Sequence, residues 1–179
     1  PARNYALKHA GTRYVLLMDN DAFLTPTCLS RLVSSIRSNG DIAIYAPKIV
    51  SCDAPEQVQY YLTSIHFLGQ AIIDTRVSNE LVSTENTLLS TTVNGTTLLI
   101  DRQLANSVAL FDEEMFFGWT DGDYSFRMTA AGFKCLVVTD AVVLHPSKVR
   151  SRQIVYHQVK NRWIFMLKNI NCRTLLLIA

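Results

Sequence analysis

The chain has 179 residues, 49% of them hydrophobic and 18% charged, with a formal net charge of +2. That balance excludes a disordered chain and supplies one domain, 1–179, with a real core. The charge is too small for a nucleic-acid-binding surface, so no nucleic acid partner is expected.

The periodicity predicts a first helix over Asn4 to Ala10, with Gly11 as its stop. Arg3 and Asn4 stand at its start, where free backbone N–H groups favour anions. Tyr14 to Met18 is a short apolar run that ends in Asp19, Asn20 and Asp21, the pattern of a buried strand. In a parallel sheet ligands bind at the carboxyl ends of strands, and residues two apart share a side. Asp19 and Asp21 beside a phosphate would form a hard oxygen site that suits Mg2+ or Mn2+. A strand end followed by a solvated turn accounts for the same residues, and this stretch alone leaves both readings open.

Thr25-Pro26 reads as an N-cap followed by Pro at the first helical position. Leu29, Leu32, Val33 and Ile36 follow at helical spacing, and Asn39-Gly40 ends that helix. Ile42 to Ala46 predicts a strand stopped by Pro47. Helix, strand, helix, strand is the signature of an α/β domain.

Ser51 to Thr92 is less regular and is the natural place for acceptor specificity. Ser64 to Asp74 and Thr91 to Ile100 read as strands, and Thr75 to Asn86 as a polar loop. Gly95 interrupts the second run, marking a bulge or a close backbone approach. Asp101 caps a short helix reaching Ala109.

Thr120 with Asp123 three residues on resembles a capping box, and a helix from Asp121 to Ala131 stops at Gly132. Asp121 then lies at an electropositive helix end, which suits a carboxylate, with Phe117 and Trp119 as an apolar wall beside it. Taken alone, Asp121 and Asp123 are better read as ordinary residues of a helix start. Lys134 to Val138 and Ala141 to Leu144 read as two strands, followed by His145-Pro146. A His at a strand end is commonly structural, yet a neutral imidazole also serves as a third metal ligand beside carboxylates.

Arg150 and Arg152 form a small basic cluster. Gln153 to Lys168 is helical, with Val155, Val159 and Met166 on one face and Tyr156, Trp163 and Phe165 as aromatic bulk. Lys160, Asn161 and Arg162 fall mid-helix without an evident role. The apolar tail Thr174 to Ala179 is too short to span a bilayer; it is either the start of a membrane helix or the end of a core helix. Cys28, Cys52, Cys135 and Cys172 are scattered, which argues against zinc and a disulfide framework and for reduced thiols in the cytoplasm.

Taken in order, these features resemble family 2 glycosyltransferases of the GT-A fold. Ala2-Arg3-Asn4-Tyr5-Ala6-Leu7 resembles the family's "ARNxAL" helix, and Tyr14 to Asp21 its "YVLFLDxD" strand and metal motif. Asn94-Gly95 resembles the glycine-containing strand before the acceptor segment. Phe111-Asp112-Glu113 through Asp123 and Arg127 resembles "FDExFFxYxEDxDLxxR", and Ala131-Gly132-Phe133 its "AGY". Val143-Leu144-His145 resembles the "xVxH" end, and Tyr156 to Trp163 the "YYxxRNR" helix. The family's Glu-Asp pair is Thr120-Asp121 here, and its processive Gln-x-x-Arg-Trp is one residue longer between Gln158 and Trp163.

The resemblance implies a GT-A-like, Rossmann-like mixed sheet flanked by helices. It implies inverting sugar transfer from a nucleotide-diphosphate sugar to a glycan or lipid-linked acceptor, with Mg2+ or Mn2+, in polysaccharide or cell-wall synthesis. Asp121 is the expected base; Asp19, Asp21 and His145 are the expected metal ligands. Arg3, Asn4, Asn20, Gly95, Trp119, Thr120, Asp123 and Arg127 are the expected donor and acceptor contacts. Residues 1–50 would serve metal and donor, 90–150 acceptor and catalysis, and 151–179 a C-terminal helix. The setting implied is cytoplasmic, with peripheral association at the inner membrane face. The chain opens without Met, so it is expected to lack the family's N-terminal nucleotide-binding strands and to bind donor poorly. Two rivals remain at this stage: an aspartate-nucleophile phosphatase, against which Phe23 counts, and a non-catalytic carbohydrate-binding or scaffold module.

Overall fold

A computed structural model describes residues 1–36, 41–66, 68–75, 86–108, 110–147 and 151–178. Arg150, Asn39, Gly40, Ala109 and most of the expected loop from Thr75 to Asn86 lie outside the described residues.

Two long strands form the spine, β3 (Ile42–Ser51) and β9 (Lys134–His145), paired in parallel. β1 (Tyr14–Met18) and β8 (Thr97–Asp101) extend the sheet on the β3 side, and β2 (Phe23–Leu24) closes it beyond β9, in the order β1-β8-β3-β9-β2. β4 (Val58–Tyr60) also pairs with β3, and β7 (Thr87–Ser90) with β9. β5 (Leu62–Ile65) and β6 (Ala71–Asp74) make a separate antiparallel hairpin. The helices are α1 (Ala2–His9), α2 (Cys28–Ser34), α3 (Arg102–Ala105), α4 (Thr120–Ala130), α5 (Arg152–Asn169) and α6 (Cys172–Ile178). This is the α/β mixed sheet flanked by helices that the sequence predicts.

Several boundaries differ from expectation. Pro47 does not stop β3; the strand runs on to Ser51, and the register with β9 shifts between Pro47 and Lys48, where a missing N–H is tolerated. On the partner strand that shift absorbs residues 139–141, so the two predicted strands are one bent strand, β9. Ser64 to Asp74 is a hairpin turned at Gly69, whose φ of 68° suits glycine. The run from Thr91 is strand only from Thr97, because Gly95 and Thr96 form a turn. β1 pairs antiparallel with β8 and not with a parallel neighbour among the described residues. Thr25 is not a cap: its hydroxyl donates to the Val142 carbonyl, and α2 begins after Thr27.

Alternation along the central strands covers both sheet faces, which explains the nearly continuous apolar run of β3. Leu7, Ile44, Leu98, Ile100, Tyr124 and Val137 pack on one face under α1, α3 and α4. Cys28, Leu32, Tyr45, Ile49, Leu136 and Val143 pack on the other under α2. Leu29 and Val33 are exposed, so α2 buries a narrower stripe than its spacing suggested. α5 likewise exposes Val155 and Val159 and buries Phe165 and Met166 against Met115 and Trp119.

Cys28, Cys52 and Cys135 are free thiols. Burial pushes the Cys28 thiol up to about 11 and Cys135 to about 12, so both behave as inert core residues. Among the described residues no helix is long and apolar enough to cross a membrane.

Candidate active site

Asp19 and Asp21 leave the end of β1 in a tight turn, closed by the Ala22 N–H donating to the Asp19 carbonyl at 3.2 Å. Asn20, between them, is exposed. His145 ends β9, and each of the three side chains offers a ligand atom within 4.8 Å of the others. His145 Nε2 lies 3.6 Å from Asp21 Oδ1. Two carboxylates and one imidazole, all half-buried, are a donor set that fits Mn2+ or Mg2+.

Asp121 reaches the same region from the first turn of α4. Its Oδ2 accepts the Gly95 N–H at 2.6 Å. Arg3 Nη2 donates to the Gly95 carbonyl at 3.1 Å and to Asp19 Oδ1 at 2.9 Å. The Asp19 N–H in turn donates to the Thr96 carbonyl at 2.8 Å. The 95–96 turn therefore ties Asp121 to Asp19 and its turn. Burial raises the Asp19 carboxyl above its ordinary value; Arg3 opposes this, and the charges of Asp121 and Asp21 add to it. Three acidic groups from two distant parts of the chain thus share one electrostatic environment.

Trp119 lines a cavity of about 300 Å³ together with Asp121, Gly118, Gln158, Asn94 and Ile73. Its ring packs on Phe165, centroids 5.1 Å apart. Phe117 and Thr120 instead line a smaller cavity of about 190 Å³ with Arg3 and Phe111, so the expected aromatic wall is supplied by Trp119 without Phe117.

The capping box at Thr120 and Asp123 does not form. Thr120 lies inside α4, Trp119 takes the N-cap position, and the Asp123 N–H bonds to the Trp119 carbonyl at 2.8 Å. Asp123 stands two residues from Asp121, about 200° around the helix, and so faces away from it. It is buried, paired with Arg127 at 2.8 Å, and accepts from Asn169 Nδ2 at 2.9 Å. Arg127 donates also to the Leu110 carbonyl. Asn4 is turned inward as well: its amide donates to the Phe111 carbonyl and Glu113 and accepts the Phe111 N–H. These three residues fasten the 110–113 segment to α1, α4 and α5, and the structure does not bring them to the acidic cluster.

Asn161, which the sequence left unassigned, has a structural task. It is fully buried, and its Nδ2 faces the carbonyls of Phe116, Phe117 and Gly118 at 2.9, 3.2 and 2.9 Å. Those carbonyls belong to a segment with φ of 55°, 89° and 66° at Phe117, Gly118 and Trp119. An Asn in a helix interior, where its propensity is poor, was the available signal.

The mixed α/β sheet flanked by helices is that of a GT-A fold, and it carries an Asp-x-Asp turn, a third carboxylate at a helix start and a strand-end His. The chain belongs to glycosyl transferase family 2, whose profile matches residues 1–104. That span holds Arg3, Asp19, Asp21 and Gly95; Asp121 and His145 lie beyond it. No curated protein matches the chain by sequence. Among solved structures it is similar to GalNAc-T7 with UDP, GalNAc and Mn2+, with a TM-score of 0.70 and 14% identity over 93% of this chain and 34% of that one. It is also similar to the mannosyltransferase PcManGT from Pyrobaculum calidifontis in complex with GDP-Man and Mn2+. There the TM-score is 0.59 and the identity 13%, over 94% of this chain and 43% of that one. The chain thus spans less than half the length of either structure.

Proposed function

We propose that this chain carries the catalytic part of an inverting, metal-dependent glycosyltransferase that uses a nucleotide-diphosphate sugar. The carrying observation is the junction of Asp19, Asp21 and His145 with Asp121 through Arg3 and the Gly95 turn. Membership of family 2 and the fold shared with Mn2+-containing transferases support it.

The chemistry requires two charges to be managed. An acceptor hydroxyl attacks the anomeric carbon and loses its proton as the nucleoside diphosphate departs with the bonding electrons. Asp21 and His145 would hold a divalent ion, with Asp19 beside it contacting metal or donor; that ion, when bound, stabilises the diphosphate charge. Asp121 is the group we assign to take the proton. A carboxylate is a weak base, so proton loss accompanies attack and depends on positioning, which the Gly95 N–H supplies. Trp119, lining the cavity beside Asp121, suits stacking against an acceptor sugar ring, which supports a glycan acceptor. A lipid-linked acceptor, a role in cell-wall polysaccharide, and work at the inner membrane face rest on the family resemblance alone.

Two measurements test this. Calorimetry on the intact protein with Mn2+ and UDP or GDP should show metal-dependent nucleotide binding that Asp21→Asn abolishes. In the intact protein Asp121→Asn should lower transfer by at least about two orders of magnitude, with donor binding kept. Transfer near the wild-type rate in Asp121→Asn would remove the base assignment.

A further inference from the structure

β4 carries a residue that neither the sequence reading nor the family match singles out. Ile49 pairs with Tyr60 and Val50 with Val58, so one step along β3 corresponds to two along β4. Gln59 is the extra residue, without a partner across the ladder. A bulge of this kind re-aims a side chain, and bulges gather beside functional sites. Here the Gln59 side chain lies on His145. Its Nε2 donates to the His145 carbonyl at 3.0 Å and to Ser147 Oγ at 2.9 Å, and its Oε1 faces His145 Nδ1 at 3.0 Å. Ser147 Oγ is held in turn by Ser51 Oγ at 3.1 Å, and the Cys52 N–H also bonds the His145 carbonyl.

These contacts fix which way the amide points. The backbone carbonyl of His145 only accepts, so the Gln59 atom facing it must be the NH2 group. The atom facing Nδ1 is then the amide oxygen, which also only accepts. Nδ1 must therefore carry a proton. In the neutral ring the lone pair lies on Nε2, the nitrogen 3.6 Å from Asp21. Without such a partner the two tautomers of an imidazole compete, and the one protonated on Nε2 cannot ligate from that side.

We propose that Gln59 is a positioning residue that sets the tautomer of His145, holding its proton on Nδ1 and leaving Nε2 as the donor atom beside Asp21. The inference deepens the metal-site reading above and rests on it for its purpose, while the tautomer is measurable without any metal. Ligating histidines are oriented in this way by the hydrogen bond of their other nitrogen, and loss of such a partner costs roughly 10–100-fold in metal affinity. The bulge gives β4 a reason to exist at this place: a regular strand would leave no unpaired residue to reach His145.

The test uses histidine 15N shifts in chelator-treated protein, recorded well above the imidazole titration range, with the His145 signals assigned by their loss in His145→Ala. Wild type should show Nδ1–H. Gln59→Leu should populate Nε2–H and weaken Mn2+ binding, measured with the ion alone, by about 10–100-fold. Gln59→Glu keeps an acceptor for Nδ1 and should restore the Nδ1–H signature, which a purely structural role for the amide would not require. Nε2–H in wild type, or Nδ1–H with undiminished Mn2+ affinity in Gln59→Leu, would overturn the proposal. Nδ1–H that depends on Gln59, in a wild type that binds no Mn2+, would support the control of His145 and refute the metal reading instead.

Discussion

The Gly95 N–H donates to Asp121 Oδ2 at 2.6 Å, and no larger residue fits where Gly95 stands. A Cβ there would lie 2.8 Å from Asp121 Cβ and 2.9 Å from Arg3 Nη1. Gly95→Ala must push apart the carboxylate assigned as base and the guanidinium bound to Asp19. A displacement of about 1 Å at a catalytic group costs on the order of 100-fold. Gly95→Ala should therefore lower kcat of the intact enzyme by about that factor and leave the unfolding transition nearly in place. Steady-state kinetics beside a thermal melt separates the two; a wild-type kcat would show that the contact does not matter to the reaction.

Asp19 offers a test by pH. Burial raises its carboxyl above the ordinary 3.8, with Arg3 acting the other way. A raised acid binds its proton more tightly when folded than when unfolded. The stability this contributes is fully present below 3.8 and is lost as pH rises through the folded value. Asp19→Asn removes that dependence. Relative to wild type, the metal-free variant should gain stability as pH is raised from the acid side to neutrality, while losing Mn2+ affinity. Melting curves across that range in chelator check the sign. A wild type that gains on the variant as pH rises would mean that Arg3 outweighs burial.

The sequence showed the acidic and imidazole tips clearly, because residue type and strand-end position are local. The structure brings Asp19, Asp21 and His145 together and sets Asp121 within electrostatic reach of Asp19. Asp123, Arg127 and Asn4 were harder, since a polar residue beside a motif looks the same whether it faces a cleft or braces a loop. Helical phase separates Asp121 from Asp123, and only packing shows which face is open. The run through Pro47 misled because a register shift, invisible in one strand alone, accommodates it. Gln59 gave no signal, because its meaning depends on a mismatch between two strands.

The Asp123–Arg127 pair should matter for stability more than for chemistry. Asp123 is buried, and its two oxygens are taken by Arg127 and Asn169. Removing one partner of a buried pair leaves the other uncompensated, a cost of about 3–5 kcal/mol. Arg127 is partly exposed, so the lower end applies: about 3 kcal/mol for Asp123→Asn. Urea denaturation measures it. Transfer per folded molecule should stay within a few-fold of wild type; a loss matching that of Asp121→Asn would return Asp123 to the reacting centre.

Asn161 should affect both. One amide satisfies carbonyls of a segment whose Phe117 and Trp119 adopt φ of 55° and 66°, conformations that side chains other than glycine rarely take. Such residues cost of order 1–3 kcal/mol each and persist only where surrounding contacts hold them. The same segment sets the start of α4, and hence where Asp121 meets Gly95 and where Trp119 lines the cavity. Asn161→Leu fills the space, removes the donor and leaves those carbonyls without the Asn161 amide, a loss of about 1–3 kcal/mol. It should also lower kcat about tenfold or more in molecules that remain folded, because the strain is then free to relax and α4 to begin elsewhere. Asn161→Asp, which puts oxygen before the same carbonyls, should be at least as damaging. Unfolding curves together with kcat per folded molecule test this. Lost stability with kcat unchanged would mean that the position of Asp121 is held from Gly95 alone.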